Sequence, residues 1–300
     1  MRGRMATFTE YRSALLKGAE LFLSSPRLFL RILALQARRL RRVPPGSGRT
    51  DVCGLQMELD FSLDPVLKLM YLGVYEPLTV ETMRRLLRPG DVVLDVGANV
   101  GYLTAAAAGF VGPAGEVHAF EPEPACFKQL QRLCALNPLH HIVLNNCAAG
   151  DENGTLQIHI ASPGSVMGST VVPGLMPQNR IHTTVSTHVV RLDDYIRERG
   201  LKRIALVKID VEGFELRVLE GLRGYLETAE HPPIIICEVT PAAYPLMKRS
   251  TADLAACVSG LGYSARKLVS PRRPLNVAGL KEATNIIMVP ERGQGRKRFE

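Results

Sequence analysis

Two stretches of the chain hold residues whose types and spacing suit chemistry. One is Asp95-Val-Gly97-Ala98-Asn99-Val-Gly101, which follows the apolar run 92–94; the other is Lys208-Ile-Asp210-Val-Glu212-Gly213, which closes the run 204–209. In each, an apolar segment stops at a carboxylate, a glycine turn follows, and a helix-like pattern begins. Open α/β sheets bind ligands at such strand-to-helix turns, outside the carboxyl ends of their strands. Glu121 closes the next apolar run, 116–120, and lies 20 residues beyond Gly101. At that distance an acid can accept hydrogen bonds from the hydroxyls of a ribose.

The turn predicts an adenosine-containing ligand, and its spacing argues against a dinucleotide. A dinucleotide fingerprint reads G-x-G-x-x-G, with the second glycine admitting a pyrophosphate. Here Asn99 takes that glycine's place, and its side chain crowds a diphosphate. S-adenosyl-L-methionine has an adenosine, a sulfonium and an amino-acid end, and no diphosphate. Its carboxylate would suit the positive end of the helix after Gly101. The expected contacts on this turn are Asp95, Gly97, Ala98, Asn99 and Gly101, with Glu121 on the ribose. Asp95 would meet the ligand's ammonium or make an orienting bond to the loop, and the glycines would let backbone approach the ligand.

Methyl transfer from such a cofactor is an in-line displacement, so positioning supplies much of the catalysis. A hydroxyl acceptor reacts better if a carboxylate or imidazole takes its proton. Asp210 is the first choice for that base and Glu212 the second. Lys208, inside an otherwise apolar strand, needs an acidic partner. His182 and His188 lie near a Gly/Ser/Pro-rich stretch and are weaker candidates. No metal is expected, although Asp210, Glu212 and Glu238 could converge at adjacent strand ends.

Charge is unevenly placed. Residues 1–42 hold ten Arg/Lys against two Glu, and 291–300 hold four basic residues against two acidic ones, so +8 overall leaves 43–290 at −2. A nucleic-acid-binding catalytic domain should itself be basic, so no nucleic-acid substrate is expected. The six cysteines form no C-x-x-C pair and read as free thiols of a reducing compartment. With no cleavable leader evident in the first 25 residues, a cytoplasmic location is expected.

Three segments follow. Residues 1–50 form a basic amphipathic helical arm and linker, 51–290 the catalytic domain, and 291–300 a basic, disordered tail. In the arm, Ser25 and Pro26 suit a helix start and Val43-Pro44-Pro45-Gly46 a stop. Arg27, Arg31, Arg38 and Arg42 gather on one side of that helix. Residues 26–42 would therefore either dock on the domain or make peripheral contact with an anionic membrane or a partner protein. Beyond the arm, strands are expected over 51–61 (a strand or hairpin), 91–95, 116–120, 141–147, 155–160, 187–190, 204–210, 233–238, 263–268 and 284–290. Helices are expected over 64–88 (broken near 73–77), 101–110, 123–136, 191–199, 214–226 and 250–261. The alternation predicts an α/β fold with a doubly wound sheet, mostly parallel with one antiparallel strand. The stretch 161–180 reads as a loop covering the site.

The run from Gly73-x-Tyr75-Glu76 through PGDVVLDVGANVGYLT, VHAFEPEP, NCAAGDENG and VKIDVEGFELRVLEGL to TNIIMVPE resembles the FkbM family of S-adenosylmethionine-dependent methyltransferases, over about residues 60–290. The resemblance implies a class I methyltransferase (Rossmann-like) fold. It also implies O-methylation of a hydroxyl on a small metabolite, sugar or lipid-linked glycan. In such folds the third strand contacts adenine. An acid often ends that strand, but here Asn145-Asn146-Cys147-Ala148 has none, leaving the amide of Asn146 and the backbone of Ala148 for the base. The rival functions are a nucleic-acid methyltransferase and a scaffold that keeps the cofactor fold without catalysis. Against the first stands the missing basic face, and against the second the intact turn with Glu121 and Asp210.

Overall fold

Cys53-Gly54 sits between two alternating segments, and both residues take positive φ, 53° and 98°, as a two-residue hairpin turn requires. The computed structural model of the chain describes residues 43–161 and 168–293, together with Leu30. The helix expected over 26–42 and most of the tail lie outside the described residues. Strands β1 (Ser47–Val52) and β2 (Leu55–Asp60) pair antiparallel with Ser47 opposite Asp60. The hairpin thus begins inside the segment expected to be linker. Leu55, Met57 and Leu59 alternate inward and are fully buried, which accounts for the register.

Helices α1 (Val66–Tyr71) and α2 (Pro77–Leu86) follow, then β3 (Val92–Val96), α3 (Tyr102–Val111), β4 (Glu116–Phe120), α4 (Pro124–Leu136) and β5 (His141–Asn145). Next come β6 (Ala148–Gly150), β7 (Gly154–Ile160), β8 (Thr183–Arg191), α5 (Leu192–Arg199), β9 (Leu206–Ile209), α6 (Glu215–Gly221), α7 (Arg223–Thr228) and β10 (Ile234–Val239). The chain closes with α8 (Thr251–Gly260), β11 (Tyr263–Lys267), β12 (Ser270–Pro274) and β13 (Thr284–Pro290). The helix expected as one piece over 214–226 divides at Leu222, the shared cap of α6 and α7.

The main sheet has the order β12-β11-β13-β10-β9-β3-β4-β5. Strands β5, β4, β3, β9 and β10 run parallel, and β13 lies antiparallel between β10 and β11. A second antiparallel strand, β12, exceeds the one expected. Its Ser-Pro-Arg-Arg-Pro composition hides it, because proline is tolerated only at sheet edges, and β12 is the edge. Residues alternate between two apolar layers: Val93 packs with the hairpin and α1–α4, and Leu94 with α5–α8. Side-chain period 2 and burial on both faces explain the near-continuous apolar strands. Strands β6, β8 and β7 form a separate three-stranded sheet.

The chain runs outward from β3 to β4 and β5, then returns to β9 on the other side of β3. The sheet therefore reverses between β3 and β9, and this switch point opens a crevice at their carboxyl ends. Both sequence stretches singled out above end there.

Candidate functional site

The turn after β3 is held in a left-handed path, with φ of 78° at Gly97, 54° at Asn99 and 92° at Gly101. Its five amides are all satisfied within the protein. Gly97 and Ala98 donate to the Phe120 carbonyl, each at 3.0 Å, and Gly101 donates to Ala98. The Asn99 amide donates to Glu121 Oε2 at 2.7 Å, and the Val100 amide to the Asn99 side chain at 2.6 Å. The turn keeps no amide for a pyrophosphate, a stronger reason against a dinucleotide than the bulk of Asn99.

The glycines serve packing here. A Cβ on Gly97 would stand 1.8 Å from the Asp210 carbonyl, and one on Gly101 would stand 2.7 Å from Leu130 Cδ2. Gly97 lets β3 close against the second turn, and Gly101 lets α3 seat against α4.

Glu121 is buried and receives two amides, Asn99 on Oε2 and Glu123 on Oε1 at 2.8 Å. Burial pushes its carboxyl up to about 7, and the two amides only partly offset this. Each oxygen retains a second lone pair, so two hydroxyl donors can still be accepted. Asn146 does not face the cleft; its side-chain amide donates to the Glu121 carbonyl at 2.9 Å and braces the acid from behind. Ala148 does line the cleft, beside Cys147 and Ala149.

Asp95 lies inside the fold. Only 1% exposed, it accepts from Thr104 Oγ1 at 2.5 Å and pairs with Lys208 Nζ at 3.3 Å. It reaches the turn only through Lys208, which donates to the Gly97 carbonyl at 2.6 Å, and offers nothing directly to a ligand. Ala98 and Gly101 also stay out of the cleft lining.

The cleft itself encloses about 820 Å³ of empty space, part of it open to solvent. Gly97, Asn99 and Glu121 line it together with Asp210, Glu212 and Glu238. Glu212 takes a left-handed conformation, φ 48°, of a kind that concentrates at functional sites. Burial first, and then the Asp210 charge, pushes its carboxyl up to about 7. Asp210 stands 3.6 Å from Lys208. Burial works against the charge on Lys208, but Asp95 and Asp210 outweigh it and raise its pKa.

Part of the stretch expected to cover the site does so. Gly168, Ser169 and Val171 line the cleft, and Thr170 Oγ1 donates to the Glu212 carbonyl at 2.8 Å. His182 and His188 are exposed and away from the cleft.

Three further residues belong to the site. Tyr75 lines the cleft and stacks edge-on against Tyr102 at 5.5 Å. Burial, and then the carboxylates of Glu76, Asp210, Glu238 and Glu212, raise its phenol pKa and keep it a neutral donor. Among the described residues, Glu76, Asp210 and Glu238 offer carboxylate oxygens within 4.8 Å of one another, a grouping able to hold a cation. It differs from the expected set by Glu76 in place of Glu212. The third residue, Glu215, is fully buried, accepts from Gly213 at 2.7 Å and from the Tyr244 hydroxyl at 3.2 Å, and is pushed by burial up to about 7. Glu238 was visible as the acid ending its strand. Glu76 also has a left-handed backbone, φ 42°, which residue type does not reveal.

Fold and cleft define a class: a Rossmann-like α/β protein with an acid-lined crevice at the switch point of its sheet. Residues 95–265 match the family model described as the methyltransferase FkbM domain, and the chain belongs to that family. It is 34% identical over 218 residues to the 31-O-demethyl-FK506 methyltransferase FkbM of Streptomyces tacrolimicus, spanning 63% of this chain and 77% of that protein. It is 28% identical over 146 residues to the 2-O-methyltransferase NoeI of Sinorhizobium fredii, spanning 45% of this chain and 58% of that protein. Among solved structures it is similar to the methyltransferase FkbM of Methylobacillus flagellatus, with a TM-score of 0.41 and 19% identity, covering 90% of this chain and 60% of that one.

Proposed function

We propose that the chain is an S-adenosylmethionine-dependent O-methyltransferase acting on a hydroxyl of a small neutral acceptor: a metabolite, a sugar or a lipid-linked glycan. The observation that carries this reading is the meeting of Glu121, with two lone pairs to spare, and the Asp210–Glu212 pair across one cleft. Two relatives whose names specify O-methylation support the choice of oxygen.

The residues present fit the cofactor. Glu121 would accept from the ribose hydroxyls, the Cys147–Ala149 wall would receive the base, and Asn99 would close the turn side. When bound, S-adenosylmethionine would supply an electrophilic methyl group. The chain's own work is to orient the acceptor and take its proton. From sequence, Asp210 is the preferred base; burial favours Glu212, whose carboxyl is pushed up to about 7 and so matches a base working near neutral pH. Asp210, drawn toward Lys208, would then receive and orient the acceptor hydroxyl. Tyr75, whose phenol stands among these carboxylates, would donate to the acceptor.

The acidic lining also speaks to acceptor class. Five acids (Glu121, Glu123, Asp210, Glu212 and Glu238) and no Lys or Arg stand among the described lining residues. A phosphodiester would be repelled there, whereas hydroxyls find acceptors. The test uses methyl-tritiated S-adenosylmethionine and cell extract sorted into lipid, glycan, small-molecule and nucleic-acid pools. Label in one of the first three is expected. Label confined to nucleic acid would overturn the acceptor class, and no transfer into any pool would favour a scaffold.

A further inference from the structure

Lys208 is the least expected residue in the molecule: a 5% exposed ammonium within an apolar parallel strand, absent from the cleft lining. Its place in the ladder explains its reach. Lys208 sits directly opposite Asp95 across the β9–β3 pair, and period 2 puts Asp210 and Gly97 on the same face, one step nearer the carboxyl edge. The ammonium rises between them and meets three groups: the Gly97 carbonyl at 2.6 Å, Asp95 at 3.3 Å and Asp210 at 3.6 Å.

Stability does not call for this arrangement. Replacing a buried ion pair by apolar residues of like volume is often neutral or stabilising. The fold could therefore carry two apolar side chains at 95 and 208, as it does at most other positions of these strands. What an apolar pair could not do is reach the other two partners. The Gly97 carbonyl belongs to the turn whose amides are all spent internally, and Lys208 is its tie to the neighbouring strand. Asp210 belongs to the turn opposite.

We propose that Lys208 is a positioning residue for cofactor binding: its ammonium pins the Gly97 carbonyl and, through Asp210, locks the two turns of the cleft into one preformed cradle. Asp95 is the counter-charge that lets the ammonium stay buried. The inference rests on the cofactor reading above. It predicts that the pair is dispensable for folding and necessary for affinity, because a preformed loop binds without the cost of ordering.

The experiment is calorimetric titration of the full chain with S-adenosylhomocysteine, which needs no acceptor. Asp95 and Lys208 are replaced together, as Asp95→Asn with Lys208→Met, so that neither member of the buried β3–β9 pair is left as a lone charge. The expected result is a melting temperature close to wild type with affinity lower by about tenfold or more, the scale of losing one charged hydrogen bond. Wild-type affinity in the double variant overturns the proposal, as does an affinity loss that only tracks a fall in melting temperature. If that variant does not fold, Asp95→Asn with Lys208→Gln keeps a polar interior pair and is read by the same two criteria. Asp210→Asn alone leaves Lys208 on Gly97 and loosens only the second tie, so its affinity loss is expected to be clearly smaller than that of the double variant; a loss equal to the double variant's would assign the pinning to Asp210 and not to Lys208. Failure of the cofactor reading looks different: the wild-type chain itself would then not bind.

Discussion

The turn at Gly97–Gly101 and the turn at Asp210–Gly213 leave adjacent strands at the same sheet edge, yet they handle their polar groups in opposite ways. The first spends every amide inside the protein and takes its shape from packing and from Lys208. The second holds the half-buried Glu212, which faces the cleft, and leads into the buried Glu215 at the start of α6, and burial pushes both carboxyls up to about 7. A satisfied turn offers fixed shape, which suits a binding wall. Carboxyls held near neutrality offer exchangeable protons, which suits chemistry. A division of labour follows, and four substitutions probe it.

The largest effect is expected on the chemical side. Glu212→Gln keeps size and removes the proton acceptor, so methyl transfer should fall by about 10²-fold or more while S-adenosylhomocysteine affinity stays near wild type. Asp210→Asn should cost transfer to a similar order. An affinity loss as large as the rate loss in Glu212→Gln would erase the distinction between the turns.

On the binding side, Gly97→Ala places a Cβ against the Asp210 carbonyl at a φ of 78°. Backbone cannot yield as a flexible side chain would, so the turns must separate. Affinity and thermal stability should fall together, by several-fold or more in affinity and by roughly 1–3 kcal/mol in stability. An unchanged melting temperature would show that the close contact is not what shapes the cleft.

The smallest effect separates the groups by pH. Glu121, at about 7 in the free protein, must be ionised to accept two hydroxyls. Affinity should therefore rise with pH through about 7 and level off above it, and Glu121→Gln should be weaker and flat. The same raised value has the opposite sign for folding. In the unfolded chain the group sits near 4.5, so its contribution to stability is full below 4.5 and is lost as pH rises through 7. A melting temperature that falls less steeply over that window in Glu121→Gln than in wild type, measured without ligand, checks the sign.

How much of this was legible in the sequence depends on how local the cause is. The β3–turn–α3–β4 unit appears within one residue of its sequence-based bounds, because apolar period, glycine placement and the closing acid all act within about 30 residues. The position of β13 between β10 and β11 is set by pairing across the sheet, which no local pattern records. Asp95 shows the same limit. Its type and place suit a ligand, but its fate is decided by Lys208, 113 residues away and directly opposite it in the ladder. Tyr75 lines the cleft and Glu76 reaches Asp210 and Glu238 from a connection between helices, so only the family resemblance carried them. Asn146 is a near miss: one residue from the cleft wall, turned to brace Glu121.

The central claim is that this crevice is built for an adenosine ligand without a diphosphate. Calorimetric titration of the wild-type chain with S-adenosylhomocysteine and with NAD, at a pH above 7 where Glu121 is ionised, tests it most directly. Saturable binding of S-adenosylhomocysteine and no heat with NAD are expected. Tight NAD binding with no response to S-adenosylhomocysteine would contradict it.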